Sequence, residues 1–140
     1  MCTFTITQGS IAGSSQRIGL SCLYLSTGPL ERHLLAKISH RHKICPHLQS
    51  AFVFDHHRSS REEYGESPMN MLKNWADEIG PLASVAFQKV GFGKGVLGEV
   101  LGVHHQKIYI FDDRVVLTGA NLSKNYFLNR RDRVISIDSP

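Results

Sequence analysis

At 140 residues, with 41% hydrophobic and 20% charged side chains, the chain has the size and composition of a single domain with a modest core. A formal charge of +4 and a pI near 9.1 suit anionic partners such as a nucleotide, a phospholipid or a nucleic acid, without selecting among them. No apolar run approaches the roughly 20 residues that a membrane-spanning helix needs, so any membrane contact is expected to be peripheral.

Residues 1–16 are small, polar and weakly patterned, and form a frayed or remodelled start in this reading. Only one base, Arg17, precedes Glu31, which is too little positive charge for a transit peptide, and no secretory apolar region is visible. Arg17–Leu25 is rich in Ile, Leu and Tyr and is expected as a buried strand; Thr27-Gly28-Pro29 breaks it. Leu30, Leu34, Leu35 and Ile38 then recur at helical spacing, with Thr27 as a cap and Glu31 in the first turn.

His40–His47 is expected as a solvated basic loop. His40, His42, Cys45 and His47 match no strong zinc spacing, so no metal is assigned to them. Cys2, Cys22 and Cys45, odd in number, indicate free thiols in a reducing compartment.

Ala51–Asp55 is a nearly continuous apolar run, expected as a second, parallel strand. The segment His56–Arg61 follows at its carboxyl end, where α/β proteins place ligands, and Arg58 and Arg61 are candidates for substrate phosphate. Met69–Ile79 has a helical stripe of Met71, Leu72, Trp75 and Ile79, which belongs to the core; Gly80-Pro81 ends it, and Val85–Val90 is a third strand.

Gly93, Gly95 and Gly98 spell a literal G-x-G-x-x-G, but only six residues separate Gly98 from His105. That leaves no room for the helix and strand of a dinucleotide site. The stretch is expected to be a loop at the mouth of the site, with Lys94 available to a lipid or nucleotide phosphate.

Taken in steps of two, His105, Lys107, Tyr109 and Phe111 share one face of an extended segment, and His104 faces the other way. Asp112-Asp113-Arg114 is a tight turn, and Val115–Leu117 the returning strand of a hairpin. Thr118–Asn121 leaves the sheet, and Asn121 or Ser123 caps a following helix, whose positive end would suit a phosphate near His105 and Lys107.

An imidazole beside an ammonium is a plausible phosphoryl-transfer pair. A neutral imidazole attacks without first losing a proton, and the ammonium neutralises the non-bridging oxygens. His105 is therefore the expected nucleophile, Lys107 its electrostatic partner and Asn121 an amide donor to the same oxygens. Asp112, of opposite parity at the strand end, is expected to orient the site or stabilise the hairpin.

The spacing His105-x-Lys107, then Asp112, then Gly119-x-Asn121 resembles the H-x-K-x4-D signature of the phospholipase D superfamily. Gly119-Ala120-Asn121-Leu122-Ser123, Tyr126-Phe127, Asn129–Arg133 and, near the start, Ser21–Glu31 are similar to its phosphatidylglycerophosphate synthase family. The resemblance covers roughly residues 10–137. It implies an α/β fold, a mixed sheet flanked by helices, over residues 17–140.

It also implies transfer of a phosphatidyl group from CDP-diacylglycerol to glycerol 3-phosphate through a phosphohistidine, with no metal or other cofactor, at the matrix side of the mitochondrial inner membrane. Enzymes of this type use two H-x-K motifs, and this sequence carries one. It is accordingly expected to be an amino-terminal half, its second motif coming from a missing carboxyl-terminal region or from a homodimer. Two other readings stay open. One is a phosphodiesterase acting on phospholipid or nucleic acid, although no nucleic-acid partner is expected; the other is an inactive half-domain that binds anions or a partner chain.

Overall fold

The computed structural model describes residues 3–90, 102–128 and 132–138, apart from the side chains of residues 3 and 4. Lys94 and the glycine stretch around it lie outside the described residues. In chain order the elements are α1 (Thr3–Gly13), β1 (Arg17–Cys22), α2 (Pro29–Ile44), β2 (Gln49–Asp55), α3 (His56–Ser59), α4 (Pro68–Ile79) and β3 (Ala83–Gln88). After these come β4 (Ile108–Phe111), β5 (Arg114–Thr118), α5 (Lys124–Leu128) and β6 (Val134–Asp138).

The strands form one mixed sheet in the order β3-β2-β1-β4-β5-β6. Strands β1, β2 and β3 are parallel, joined through α2 and α4, whereas β4, β5 and β6 form an antiparallel meander beginning beside β1. This is the α/β architecture expected from the sequence.

One sheet face carries the core: Ile18, Leu20 and Cys22 from β1, Phe52 and Phe54 from β2, Tyr109 and Phe111 from β4, and Val116 from β5. Leu34, Leu35 and Ile38 of α2 and Met71, Leu72 and Trp75 of α4 join the same cluster. Trp75 stacks on Phe52 with ring centroids 4.8 Å apart, and its indole N–H donates to Ser39 Oγ at 2.9 Å, so the large ring is buried without an orphaned donor. Side chains of this size contribute about 1.5–3 kcal/mol each when fully buried.

Several boundaries differ from the sequence expectation, each for a visible reason. The start of the chain forms α1 rather than an unpatterned segment. Its inner face is Thr7, Ser10 and Ile11, which has helical spacing but little hydrophobicity, so an apolar-periodicity reading passes over it. Helix α2 continues to Ile44 and absorbs His40–Ile44, which were expected in a loop. Its second half faces inward with polar groups that find partners: Ser39 with Trp75, and His42 Nε2 with Ser50 Oγ at 2.9 Å.

Thr27 does not cap α2. Gly28 occupies that position with Pro29 in the first turn, and the Thr27 hydroxyl donates to the Glu63 carbonyl at 2.5 Å. The His56–Arg61 stretch begins as the short helix α3, whose cap is the Asp55 carboxylate accepting from Arg58 N at 2.9 Å. Strand β1 ends at Cys22; beyond it Leu25 makes an isolated bridge to Leu122. Strand β3 runs two residues earlier than expected, ending at Gln88.

Candidate active site

Antiparallel pairing of β4 with β1 matches Ile108 to Ser21, so the H-x-K segment arrives at the carboxyl end of β1. Residues 102–107 precede the ladder itself, which starts at Ile108 rather than at His105. The Thr118 N–H reaches back to it, donating to the Lys107 carbonyl at 3.2 Å.

The two adjacent histidines have opposite surroundings. His104 is buried, with Nε2 2.8 Å from Ser21 Oγ, and its backbone N–H donates to Asp55 Oδ2 at 3.0 Å. His105 is exposed. The fully buried Asp55 carboxylate therefore ties the H-x-K segment to the start of α3, because its other oxygen caps that helix. Asp55 was not singled out from the sequence. The one signal available was an acid ending an apolar strand.

Lys107 is only 6% exposed. Its Nζ donates to the His105 carbonyl at 2.9 Å and lies 3.0 Å from His105 Nδ1. An ammonium can only donate, so Nδ1 accepts and the proton of the neutral ring sits on Nε2. The partial burial of the ring, and then the Lys107 charge, hold the His105 pKa below its ordinary value. Burial likewise lowers Lys107, against the opposing pull of Cys22 and Asp132.

Beneath them, Tyr109 is completely buried and its hydroxyl donates to the Ala120 carbonyl at 2.7 Å. That bond fixes the bend by which residues 119–121 leave β5 beside Lys107. Asn121 is 3% exposed, and its Oδ1 has no partner among the described residues; the same holds for Ser123 Oγ. A Cβ on Gly119 would fall 2.5 Å from Asp132 Oδ2, so the glycine admits that carboxylate to the neighbourhood of Lys107. Asp132 is another site-edge group the sequence reading did not single out by itself.

The expected helix-end anion site has another occupant. Ser123 starts α5 through its carbonyl, which accepts from Phe127 N at 3.0 Å, while the Lys124 N–H donates to the buried Glu31 carboxylate.

The remaining candidates separate. Arg58 is half-buried, with its guanidinium carbon 5.1 Å from the centre of the Tyr24 ring, at the carboxyl end of β2. Arg61 is exposed. Asp112 lies at the opposite edge of the sheet, where its carboxylate accepts from Ser15 N and Gln16 N at 2.8 Å and from Arg17 N at 2.9 Å. Its φ of 51° is the left-handed conformation of the β4–β5 turn. Asp112 thus anchors the hairpin to the chain entering β1 and is not brought together with His105 and Lys107. Among the described residues, no group of three His, Cys, Asp or Glu is placed to hold a metal ion.

No family model matches the chain. It is 30% identical to the human mitochondrial CDP-diacylglycerol–glycerol-3-phosphate 3-phosphatidyltransferase over 94% of its own length, and 34% identical to the Saccharomyces cerevisiae enzyme of that name over 93%. It spans about a quarter of the length of these relatives, 26% in both cases. The phosphatidylserine synthase of Haemophilus influenzae superposes with a TM-score of 0.80 at 24% identity, over 96% of this chain and 31% of that one. Nuc from Salmonella typhimurium, a phospholipase D family member, superposes with a TM-score of 0.64 at 16% identity, over 96% of this chain and 74% of that one. The fold is phospholipase D-like, and the sequence resembles the phosphatidyltransferases.

Proposed function

We propose that this chain provides one catalytic half-site of a phosphatidyltransferase of phospholipid biosynthesis, transferring a phosphatidyl group from CDP-diacylglycerol to glycerol 3-phosphate. The observation that carries the reading is the contact of the Lys107 ammonium with His105 Nδ1 at 3.0 Å, on an exposed imidazole at the carboxyl edge of the sheet. In this mechanism an anionic phosphoryl group draws Lys107 off Nδ1. The ring proton then moves to Nδ1, which frees the Nε2 lone pair to attack phosphorus.

The P–O bond to CMP breaks, leaving a phosphohistidine. The acceptor hydroxyl then attacks that phosphorus, loses its proton to a base and releases His105. Asn121, Arg58, Arg61 and Lys94 are the proposed substrate-binding groups. Similarity to mitochondrial relatives supports a mitochondrial location, proposed at the matrix face of the inner membrane. Peripheral membrane contact is proposed; no helix of the described residues is long and apolar enough to cross a membrane.

The second half-reaction needs a base, and the proposed source is a second H-x-K half, on another stretch of polypeptide or on a second copy of the chain. General acid–base assistance is worth about 10²–10⁴ in rate, so the 140-residue monomer is expected to be inactive in multiple turnover. The test is CMP release dependent on glycerol 3-phosphate, measured together with oligomeric state and with His105→Ala as control. Robust turnover by a proven monomer, lost in His105→Ala, would refute the division of labour. Absence of CMP release once the second half is supplied would refute the transferase itself.

A phosphodiesterase is the second reading, favoured by one observation: the likeness to Nuc from Salmonella typhimurium, a phospholipase D family member, spans 74% of that chain. Water-dependent cleavage of DNA or phospholipid without an alcohol acceptor would put it first.

A further inference from the structure

A pocket of about 340 Å³ at the same sheet edge is not used by the chemistry above. Tyr24 and Ser26, from the loop after β1, form one wall; Ser123, Lys124 and Asn125 form another. Glu63 and Tyr64 close it from a two-residue turn in which Glu63 and Glu66 exchange backbone hydrogen bonds of 2.9 and 3.2 Å. Tyr64 has φ 54° and Gly65 φ 82°.

A bulky side chain in the left-handed region is strained, and such strain concentrates at functional sites and ligand clamps. Here the product is a tyrosine ring 74% exposed at the mouth of a polar pocket. The neighbouring backbone leaves it room, since a Cβ on Gly28 would lie 3.7 Å from the ring and 2.7 Å from Glu31 Oε2.

The lining is rich in acceptors. The Glu63 carboxylate accepts from Ser26 Oγ at 2.5 Å, and Ser123, itself 96% buried, has a hydroxyl with no partner among the described residues. The Glu63 carboxylate offers acceptors to neutral donors, and Lys124 in the same lining offsets its repulsion of a nearby phosphate. One carboxylate can accept two neighbouring hydroxyls at once, and the flat face of a tyrosine suits the carbon side of the same ligand.

We propose that this pocket is a subsite for the vicinal diol of a substrate, with Glu63 accepting from the two hydroxyls and Tyr64 covering their carbon face. The proposal rests on the phosphatidyltransferase reading for its two sources, the ribose of a cytidine nucleotide and the glycerol of glycerol 3-phosphate. The Arg58 guanidinium, stacked on the Tyr24 wall, supplies positive charge for the phosphate that either ligand carries.

The test is calorimetric or NMR titration of the 140-residue chain with CMP, 2′,3′-dideoxy-CMP, glycerol 3-phosphate, 3-hydroxypropyl phosphate and inorganic phosphate. At least one diol ligand is expected to bind tenfold or more tightly than its analogue lacking the diol. Preference for CMP over its dideoxy analogue assigns the ribose; preference for glycerol 3-phosphate over 3-hydroxypropyl phosphate assigns the glycerol.

Glu63→Gln should remove that preference while keeping an oxygen for Ser26. Tyr64→Gly should weaken binding at unchanged or raised thermal stability, because glycine relieves the backbone strain. Equal binding of diol and analogue, no binding beyond that of inorganic phosphate, or a preference that survives Glu63→Gln each overturns the proposal. Binding needs no phosphoryl transfer, so loss of turnover with the preference intact would count against the mechanism and not against this subsite.

Discussion

Asp112 is the third letter of the H-x-K-x4-D signature, and its position makes a quantitative prediction about the fold. Its carboxylate accepts from the backbone N–H groups of Ser15, Gln16 and Arg17 and from Ser15 Oγ, at 2.8–3.2 Å. Hydrogen bonds to a charged partner contribute about 1.5–3 kcal/mol each when buried. Residues 15–17 are exposed, so water recovers much of this on truncation, leaving about 2 kcal/mol in total.

Alanine also has to adopt φ 51°, which costs about 1 kcal/mol more. Asp112→Ala is therefore expected to destabilise by about 3 kcal/mol and Asp112→Gly by about 2. Asp112→Asn, which tolerates the turn and keeps one acceptor, should cost about 1. Urea unfolding with an unchanged m-value would measure the series.

The carboxyl's partial burial alone would raise its pKa, but the amides of Arg17, Gln16 and Ser15 together hold it below 3.8. A depressed acid stabilises above its unfolded pKa and loses that contribution as pH falls through the folded one. The gap between wild type and Asp112→Asn should close below pH 3.8 and not between pH 5 and 8. A cost under about 0.5 kcal/mol for Asp112→Ala, combined with abolished turnover, would refute the structural assignment and place Asp112 in the chemistry.

Replacing Lys107 by Met should move the NMR titration of the His105 ring upward, toward 6.5, because it removes the neighbouring positive charge that helps burial to hold the ring low. It should also reduce transfer in the complete enzyme by at least 10²; an unmoved titration would mean that the Lys107–His105 contact is not populated. Asp55→Ala should cost about 3 kcal/mol or more, by leaving the amides of His104 and Arg58 without acceptors, and should lower activity with it; a neutral effect would refute the clasp. The buried Cys22 thiol, raised to about 12 first by burial, should resist alkylation in the native state, whereas half-buried Cys45 reacts; rapid native labelling of Cys22 would contradict its packing.

What was legible in the sequence was whatever one strand or one helix decides by itself. Strand parity grouped His105, Lys107, Tyr109 and Phe111 on one face without saying which way it points; Lys107, Tyr109 and Phe111 are buried and His105 is exposed, while the Asp112-Asp113 turn and the Met71–Leu72–Trp75 stripe stand where the spacing predicts. The failures are contacts between distant residues. The Asp55 clasp joins positions 49 residues apart, and the Glu31 carboxylate meets Lys124 across 93. No local pattern announces either.

The missed helix α1 and the underestimated α2 fail for a second reason. The inner face of α2 carries Ser39 and His42, whose partners Trp75 and Ser50 lie elsewhere in the chain, and that of α1 carries Thr7 and Ser10. A hydrophobic pattern cannot see a polar face that tertiary structure satisfies.

The pair His104-His105 shows how one residue type acquires two jobs from parity alone. With Lys107 and Tyr109 committed to the buried face, His105 is carried on the same side but beyond the ladder, where the sheet no longer covers it. His104 points the other way and is drawn under Ser21, while its backbone is held by Asp55. The rigid member fixes the chain so that the exposed member has a defined origin, and Lys107 then sets the tautomer of that exposed ring. With the proton on Nε2, the nitrogen that attacks in the proposed mechanism is masked. Its unmasking depends on a negative group strong enough to draw away a buried ammonium. A phosphodiester meets that requirement and water does not, so the proposed mechanism ties activation of the imidazole to arrival of the group it would attack.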